Sequence, residues 1–183
     1  QNTDFITPKI GLSAEDLTPL VAQATHGADD GELFAENVLS ESVVLDDGEI
    51  KSTSFNNSMG FGLRRVVDEF QAYVYGNEIN KDSINKAAKE LTAAAPGDGT
   101  LDLSPSKPTA SFYDAVSPIS TEYDLPKRIK LAQDVDAYLR GKDNRVRQVR
   151  VILSGTVQDV MIVRPDGHVA TDRRPMVLFV VSV

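Results

Sequence analysis

Residues 31–75 read GELFAENVLSESVVLDDGEIKSTSFNNSMGFGLRRVVDEFQAYVY, and the spacing of their apolar side chains decides the fold. Leu33, Ala35, Val43 and Leu45 alternate with polar neighbours, the period-two signature of strands that bury one face. Asp46-Asp47-Gly48 supplies a turn, after which Ile50–Phe55 resumes as a second strand. Met59–Val67 and Phe70–Tyr75 read as two further strands. Only Asp68-Glu69 separate them, too few residues for anything but a hairpin. The stretch is an antiparallel meander.

Helices flank it. Ser13-Ala14-Glu15-Asp16 is a capping-box pattern, and Leu17, Leu20, Val21 and Ala24 follow at the spacing of one helical face. Pro19 lies inside this helix and is expected to bend it or to delay its start to Thr18, because proline removes a donor and crowds the preceding turn. Gly27 ends it. Residues 1–12 carry no period and are expected to form a loose arm. After the meander, Asn80 can cap a helix in which Ile84, Ala87, Ala88 and Leu91 share a face, and Pro96-Gly97-Asp98-Gly99 stops it.

Residues 96–122 hold four prolines and many Ser and Thr, the composition of a linker or long surface connection. A helix is expected from about Asp124, with Pro126 in its first turn and Leu131, Val135, Tyr138 and Leu139 facing inward. Strands return at 146–154 and 156–164. Pro165-Asp166-Gly167 is a turn signal leading into Val169, and seven of the last eight residues, Met176–Val183, are apolar. A run of this kind reads as a strand buried on both faces. The expected fold is therefore α+β: helix, antiparallel meander and helix over 13–95, a linker over 96–122, and over 123–183 a second helix-plus-antiparallel-strands unit that is incomplete at its C-terminus. The start at Gln1 and the apolar close lead to the expectation that both ends are trimmed.

Composition excludes several classes. The 183 residues include 27 acidic and 19 basic side chains, a net charge of −8 that opposes general attraction to nucleic acid or anionic lipid. There is no cysteine, so neither disulfides nor thiolate metal ligands can form within these residues. The longest apolar stretch is about half of what a membrane helix requires, and the N-terminus lacks the pattern of a secretion signal. A cytoplasmic protein with no membrane partner is expected.

The chemistry-bearing residues do not converge. His26 falls at a helix end and His168 just after a tight turn, and neither belongs to a metal-binding spacing. Gly60-Phe61-Gly62 leaves one strand face bare, which would let another backbone approach, or would serve a bulge or close packing. Arg140, Lys142, Arg145, Arg147 and Arg150 form the one basic cluster, placed where arginines complement a helix C-terminus and line a strand. The acidic groups Asp29, Asp30, Glu32 and Asp46, Asp47, Glu49 flank turns and read as turn chemistry. No position is assigned to catalysis or to metal binding, and the residues that contact substrate are left unassigned.

One resemblance adds function. Gly27-Ala28-Asp29, Glu41-Ser42, Asp47-Gly48 and Gly60-Phe61-Gly62-Leu63-Arg64 occur in the order found in the first domain of the TldD/PmbA family, once called modulators of DNA gyrase. The likeness continues through DNRVRQVRVILSG and PDGHVATDRRPMVLFVVSV, whose ending looks like the TldD branch rather than TldE/PmbA. The resemblance implies a cytosolic zinc metallopeptidase that cleaves unfolded peptides as a heterodimer with a TldE/PmbA-type subunit. It places zinc on an H-E-x-x-x-H helix and a later cysteine, beyond these residues, so that zinc belongs to the full-length protein and this stretch is non-catalytic scaffold. The alternative is a non-catalytic binding or assembly module, such as a TldE-like partner subunit.

Overall fold

The computed structural model describes residues 4–104 and 117–183. The elements are α1 (Thr7–Ile10), α2 (Ala14–Ala24), β1 (Asp30–Asp46), β2 (Glu49–Val67), β3 (Phe70–Gly76), α3 (Lys81–Ala94), α4 (Ile119–Glu122), α5 (Leu125–Lys142), β4 (Arg150–Val163) and β5 (Val169–Ser182). The strands form one antiparallel sheet in the order β3-β2-β1-β4-β5. This is the α+β arrangement that the alternation in 31–75 and the helical periods around it predict. Residues 105–116 of the expected linker lie outside the described residues.

Contacts divide the chain into two compact units that interleave in sequence. One comprises Gln1–Asn37, Ser58–Asp114 and Asp159–Arg173, the other Val38–Asn57, Ala115–Gln158 and Arg174–Val183. The long strands pass from one to the other.

In the first unit, α2 and α3 pack together and α3 packs on β3. Their apolar stripes, Leu17, Val21 and Ala24 on α2 and Ile84, Ala87, Ala88 and Leu91 on α3, meet Leu33, Leu63, Met161 and Val163 of the sheet in one buried cluster. Each large aliphatic side chain so buried stabilises by about 1.5–3 kcal/mol. That is enough to hold Pro19 inside α2, which begins at Ala14 and not at Thr18. The N-cap Ser13 hydroxyl accepts from Asp16 N at 3.2 Å, and Asp16 Oδ2 accepts from Ser13 N at 3.1 Å. The hydrogen bond from Lys81, joined by those from Ser13, holds the Asp16 carboxyl down to about 2. Ser13→Ala should cost about 1 kcal/mol in a urea melt, the usual value of an N-cap.

Residues 4–12 are not a loose arm, and residues 1–3 of that expectation lie outside the described residues. Asp4 Oδ1 accepts from the backbone N–H of Ile6 at 3.1 Å and of Thr7 at 3.0 Å, one turn of helix follows, and Ile6 is buried in the core. A single turn is too short to show a period, which is why the pattern misses it.

In the second unit α5 covers the sheet through Ala132, packed on Leu45, Val149 and Val151, with Val135 and Leu139 partly buried beside them. Its inward face differs from the expected one: Arg128, Ala132 and Asp136 are buried, while Leu131 and Tyr138 are exposed. The stripe is rotated because two charged residues are accommodated by partners below. β2 is continuous from Glu49 to Val67, where two strands were expected, and β4 runs through Gly155, where a break was expected. Residues 51–58 are exposed along their whole length, so nothing imposes alternation on them. β5 also departs from the reading of a strand buried on both faces, since Met176–Val181 and Val183 are exposed.

Candidate functional site

The residues singled out by sequence do not assemble into one site. His26 is exposed at the end of α2, and its carbonyl accepts from Arg65. His168 sits in the β4–β5 turn, its N–H donating to Asp166 Oδ1 at 2.8 Å and its carbonyl accepting from Arg164 N at 2.9 Å. An open hollow of about 540 Å³ lies between Gln23, His26, Lys89 and Thr92, and its lining includes no carboxylate.

Among the described residues no group of three or more His, Cys, Asp or Glu is placed to hold a metal ion. The donor set that zinc requires, three or four convergent nitrogen, sulfur or oxygen ligands, is therefore not supplied by them. Among those residues, too, no helix is long and apolar enough to cross a membrane.

Three arginines of the basic cluster face carboxylates. Arg140 contacts Asp136 at 3.1 Å and Asp47 at 2.6 Å, Arg145 contacts Asp143 at 2.6 Å, and Arg150 contacts Asp46 at 3.3 Å. Lys142 lies 4.7 Å over the Tyr138 ring. Of the acidic groups that flank turns, Asp46 and Asp47 take part in these pairs, and Glu49 pairs with Lys51 at 2.6 Å. Asp29 staples three segments, accepting from Asp68 N at 2.7 Å and from Thr100 N at 3.3 Å next to its own turn.

Gly62 stands beside Tyr75 in the β2–β3 register, and a Cβ on it would meet only the Val74 carbonyl at 3.9 Å. The tight contact is on the partner strand: a Cβ on Gly76 would lie 2.8 Å from the Phe61 ring. On the same face as Gly62, Arg64 Nε donates to Glu32 at 2.6 Å, Arg64 also pairs with Asp30, and Arg164 reaches Asp30 at 3.1 Å. Burial pushes the Asp30 carboxyl up, but hydrogen bonding and charge from Arg64, with Gly31 N–H and Arg164, outweigh it and hold Asp30 below its ordinary value. A carboxyl lowered by folding binds its proton more readily in the unfolded chain. Its contribution is present above the unfolded value, near 4, and is lost as pH falls through the folded one. Asp30→Asn should therefore flatten the fall in urea midpoint below pH 4, with little change in slope above pH 5.

Sequence reasoning missed the buried charges. Arg65, between Leu63 and Val67, turns into the core, where it donates to the carbonyls of Ala95, Ala24 and His26 at 2.7, 3.1 and 2.7 Å. Asp159, in the core-facing row of β4, accepts from Arg173 at 2.6 and 3.0 Å and from Lys9 at 3.2 Å. In the second unit the buried Glu41 accepts from Ser120 N at 3.1 Å and faces Arg128 at 3.9 Å. The available signal was a charge at an inward strand position. Also missed is a hollow of about 510 Å³ beside β5, lined among others by Pro118, Ile119, Tyr123, Gly155, Met176 and Val177. Gly155 is required there, because a Cβ would lie 2.6 Å from Ile119 Cγ2.

The described residues form two α+β units that interleave in sequence. Residues 31–95 match domain 1, and residues 118–183 the central domain, of the PmbA/TldA metallopeptidases, and the chain belongs to the PmbA/TldD family. It is 33% identical over 186 residues to a metalloprotease TldD homolog of Haemophilus influenzae, covering 98% of this chain and 38% of that protein. A TldD homolog of Buchnera aphidicola is 32% identical over 87% of this chain and 33% of that protein. The chain thus spans little more than a third of the curated relatives it matches. Among solved structures, a protein of Bacteroides thetaiotaomicron described as a modulator of DNA gyrase superposes with a TM-score of 0.70 at 15% identity, over 98% of this chain and 41% of that one. TldE from Thermococcus kodakarensis gives 0.55 at 12% identity, over 92% and 39%. These two likenesses concern the fold.

Proposed function

We propose that this chain is the N-terminal scaffold and substrate-access part of a TldD-type zinc metallopeptidase, and that it is non-catalytic by itself. The observation that carries the reading is the ordered match of both family domains. In this reading zinc and the general base reside in the longer protein. The substrate is an unfolded peptide, the partner is a TldE/PmbA-type subunit, and the compartment is the cytoplasm. The likeness to TldE supports a partner of related fold. Residues 13–95 and 123–183 are proposed as the two family domains joined by 96–122; the family matches, over 31–95 and 118–183, break in the same stretch, whereas the compact units interleave across it.

The longer gene product should contain H-E-x-x-x-H and, mixed with its partner, cleave an unfolded peptide in a reaction abolished by chelation. The TldE likeness also favours a second reading, a non-catalytic partner subunit. A longer product that lacks the motif but still binds the TldD-type subunit would establish that reading instead.

A further inference from the structure

Successive side chains of a strand point to opposite faces, and the end of β5 is apolar on both. Met176, Leu178 and Val180 are 68%, 51% and 37% exposed on one face, and Val177, Phe179 and Val181 are 62%, 47% and 38% exposed on the other. β5 is also an edge of the sheet. Edge strands that remain in water are protected by charge, proline or a bulge, and Met176–Val183 contains neither charge nor proline. β2 supplies the contrast. Its stretch 51–58, KSTSFNNS, is equally exposed, lies beyond the Phe61–Val67 segment that pairs with β3, and is polar except for Phe55.

The chemistry of β5 specifies what must cover it. An extended peptide added at the edge would satisfy the free N–H and C=O groups and leave both apolar faces bare. Edge-to-edge pairing with a second copy would do the same. Burial of both faces needs a folded layer that wraps the strand, and the neighbouring hollow at Ile119, Tyr123 and Met176 offers that layer an apolar socket of about 510 Å³.

We infer that the occupant is the polypeptide that follows the central domain in the full-length family protein, packed in cis over both faces and the edge of β5. The family match that reaches β5 is to a domain described as central, and about two thirds of the relatives' length lies outside what this chain matches. A segment that continues from β5 meets it at high effective concentration, whereas a separate partner must first give up its freedom of motion. The inference rests on the proposed reading of a longer TldD-type protein.

Hydrogen exchange on the full-length gene product tests it. After correction for intrinsic rates, amides of 177–182 should exchange at least about 100-fold more slowly than those of 52–57, with no dependence on protein concentration. Exchange as fast as in 52–57, or protection lost on dilution or on removal of a partner subunit, would overturn it. Phe179→Asp in the same product should lower Tm by more than about 5 °C and Phe55→Asp by about 1 °C or less; equal effects would count against the packing. A product lacking H-E-x-x-x-H but protecting β5 removes the catalytic reading and leaves this inference standing, and a product with the motif and a freely exchanging β5 does the reverse.

Discussion

Arg65→Ala is expected to destabilise the protein by about 3–5 kcal/mol, a large part of the 5–15 kcal/mol typical of a folded domain. Arg65 is 1% exposed, and its guanidinium donates to carbonyls at the C-terminal ends of α2 and α3. Those ends carry the negative pole of each helix and carbonyls with no partner inside the helix. One planar fork serves two of them, on Ala24 and Ala95, together with the His26 carbonyl just beyond α2. Alanine leaves them unpaired in the core at about 1–3 kcal/mol each, partly offset if water enters. Arg65→Lys should recover little, because a single ammonium cannot reproduce the fork. Thermal unfolding should show a fall of roughly 10 °C. The neighbouring Arg64→Ala removes a partly solvated ion pair on the opposite face and should cost about 1 kcal/mol. Equal effects at the two positions would contradict the assigned geometry.

The second large effect is expected at Asp159. Its side chain is 2% exposed and receives Arg173 through two hydrogen bonds and Lys9 through one, while the Arg173 guanidinium lies 3.4 Å over the Phe5 ring. This carboxylate joins β4 and β5 to the N-terminal segment. Asp159→Ala should cost about 3 kcal/mol, as removal of one member of a buried ion pair does. It should also have a local signature. Amides from Ile6 to Gly11 should lose exchange protection before the rest of the first unit, and Asp159→Asn, which keeps one acceptor, should fall between. Uniform loss of protection would show that the carboxylate braces the sheet without anchoring the segment.

The elements that sequence made legible are those with one buried face. The capping box at Ser13, the Asn80 cap, and the stripes of α2 and α3 follow from packing against a single layer. The Asp68-Glu69 hairpin is dictated by length, with Asp68 taking the positive φ of 52° that the turn demands. What was not legible depends on partners far along the chain. Leu131 and Tyr138 look like core and lie outside, because Arg128 and Asp136 are admitted by Glu41 and Arg140. Residues 51–58 form a strand without any period because neither face meets a core. The terminal apolar run was read correctly as a strand; within residues 1–183 it is exposed, and its burial belongs to what packs on it.

The candidate site was less legible than the fold. His26, His168 and the basic cluster were recognised as ordinary surface and turn residues, and the structure agrees for the cluster through its carboxylate partners. The buried Arg65 and Asp159 escaped notice because a charge at a core-facing position looks, in one sequence, like an interruption of the pattern.

Zinc content tests the central claim most directly. Residues 1–183, purified, exposed to excess zinc and gel-filtered, should retain far less than one equivalent and cleave no unfolded peptide. The full-length product should retain about one zinc per chain through ligands outside this stretch. Stoichiometric zinc held by residues 1–183, or peptide cleavage by them alone, would contradict the account of these residues as scaffold.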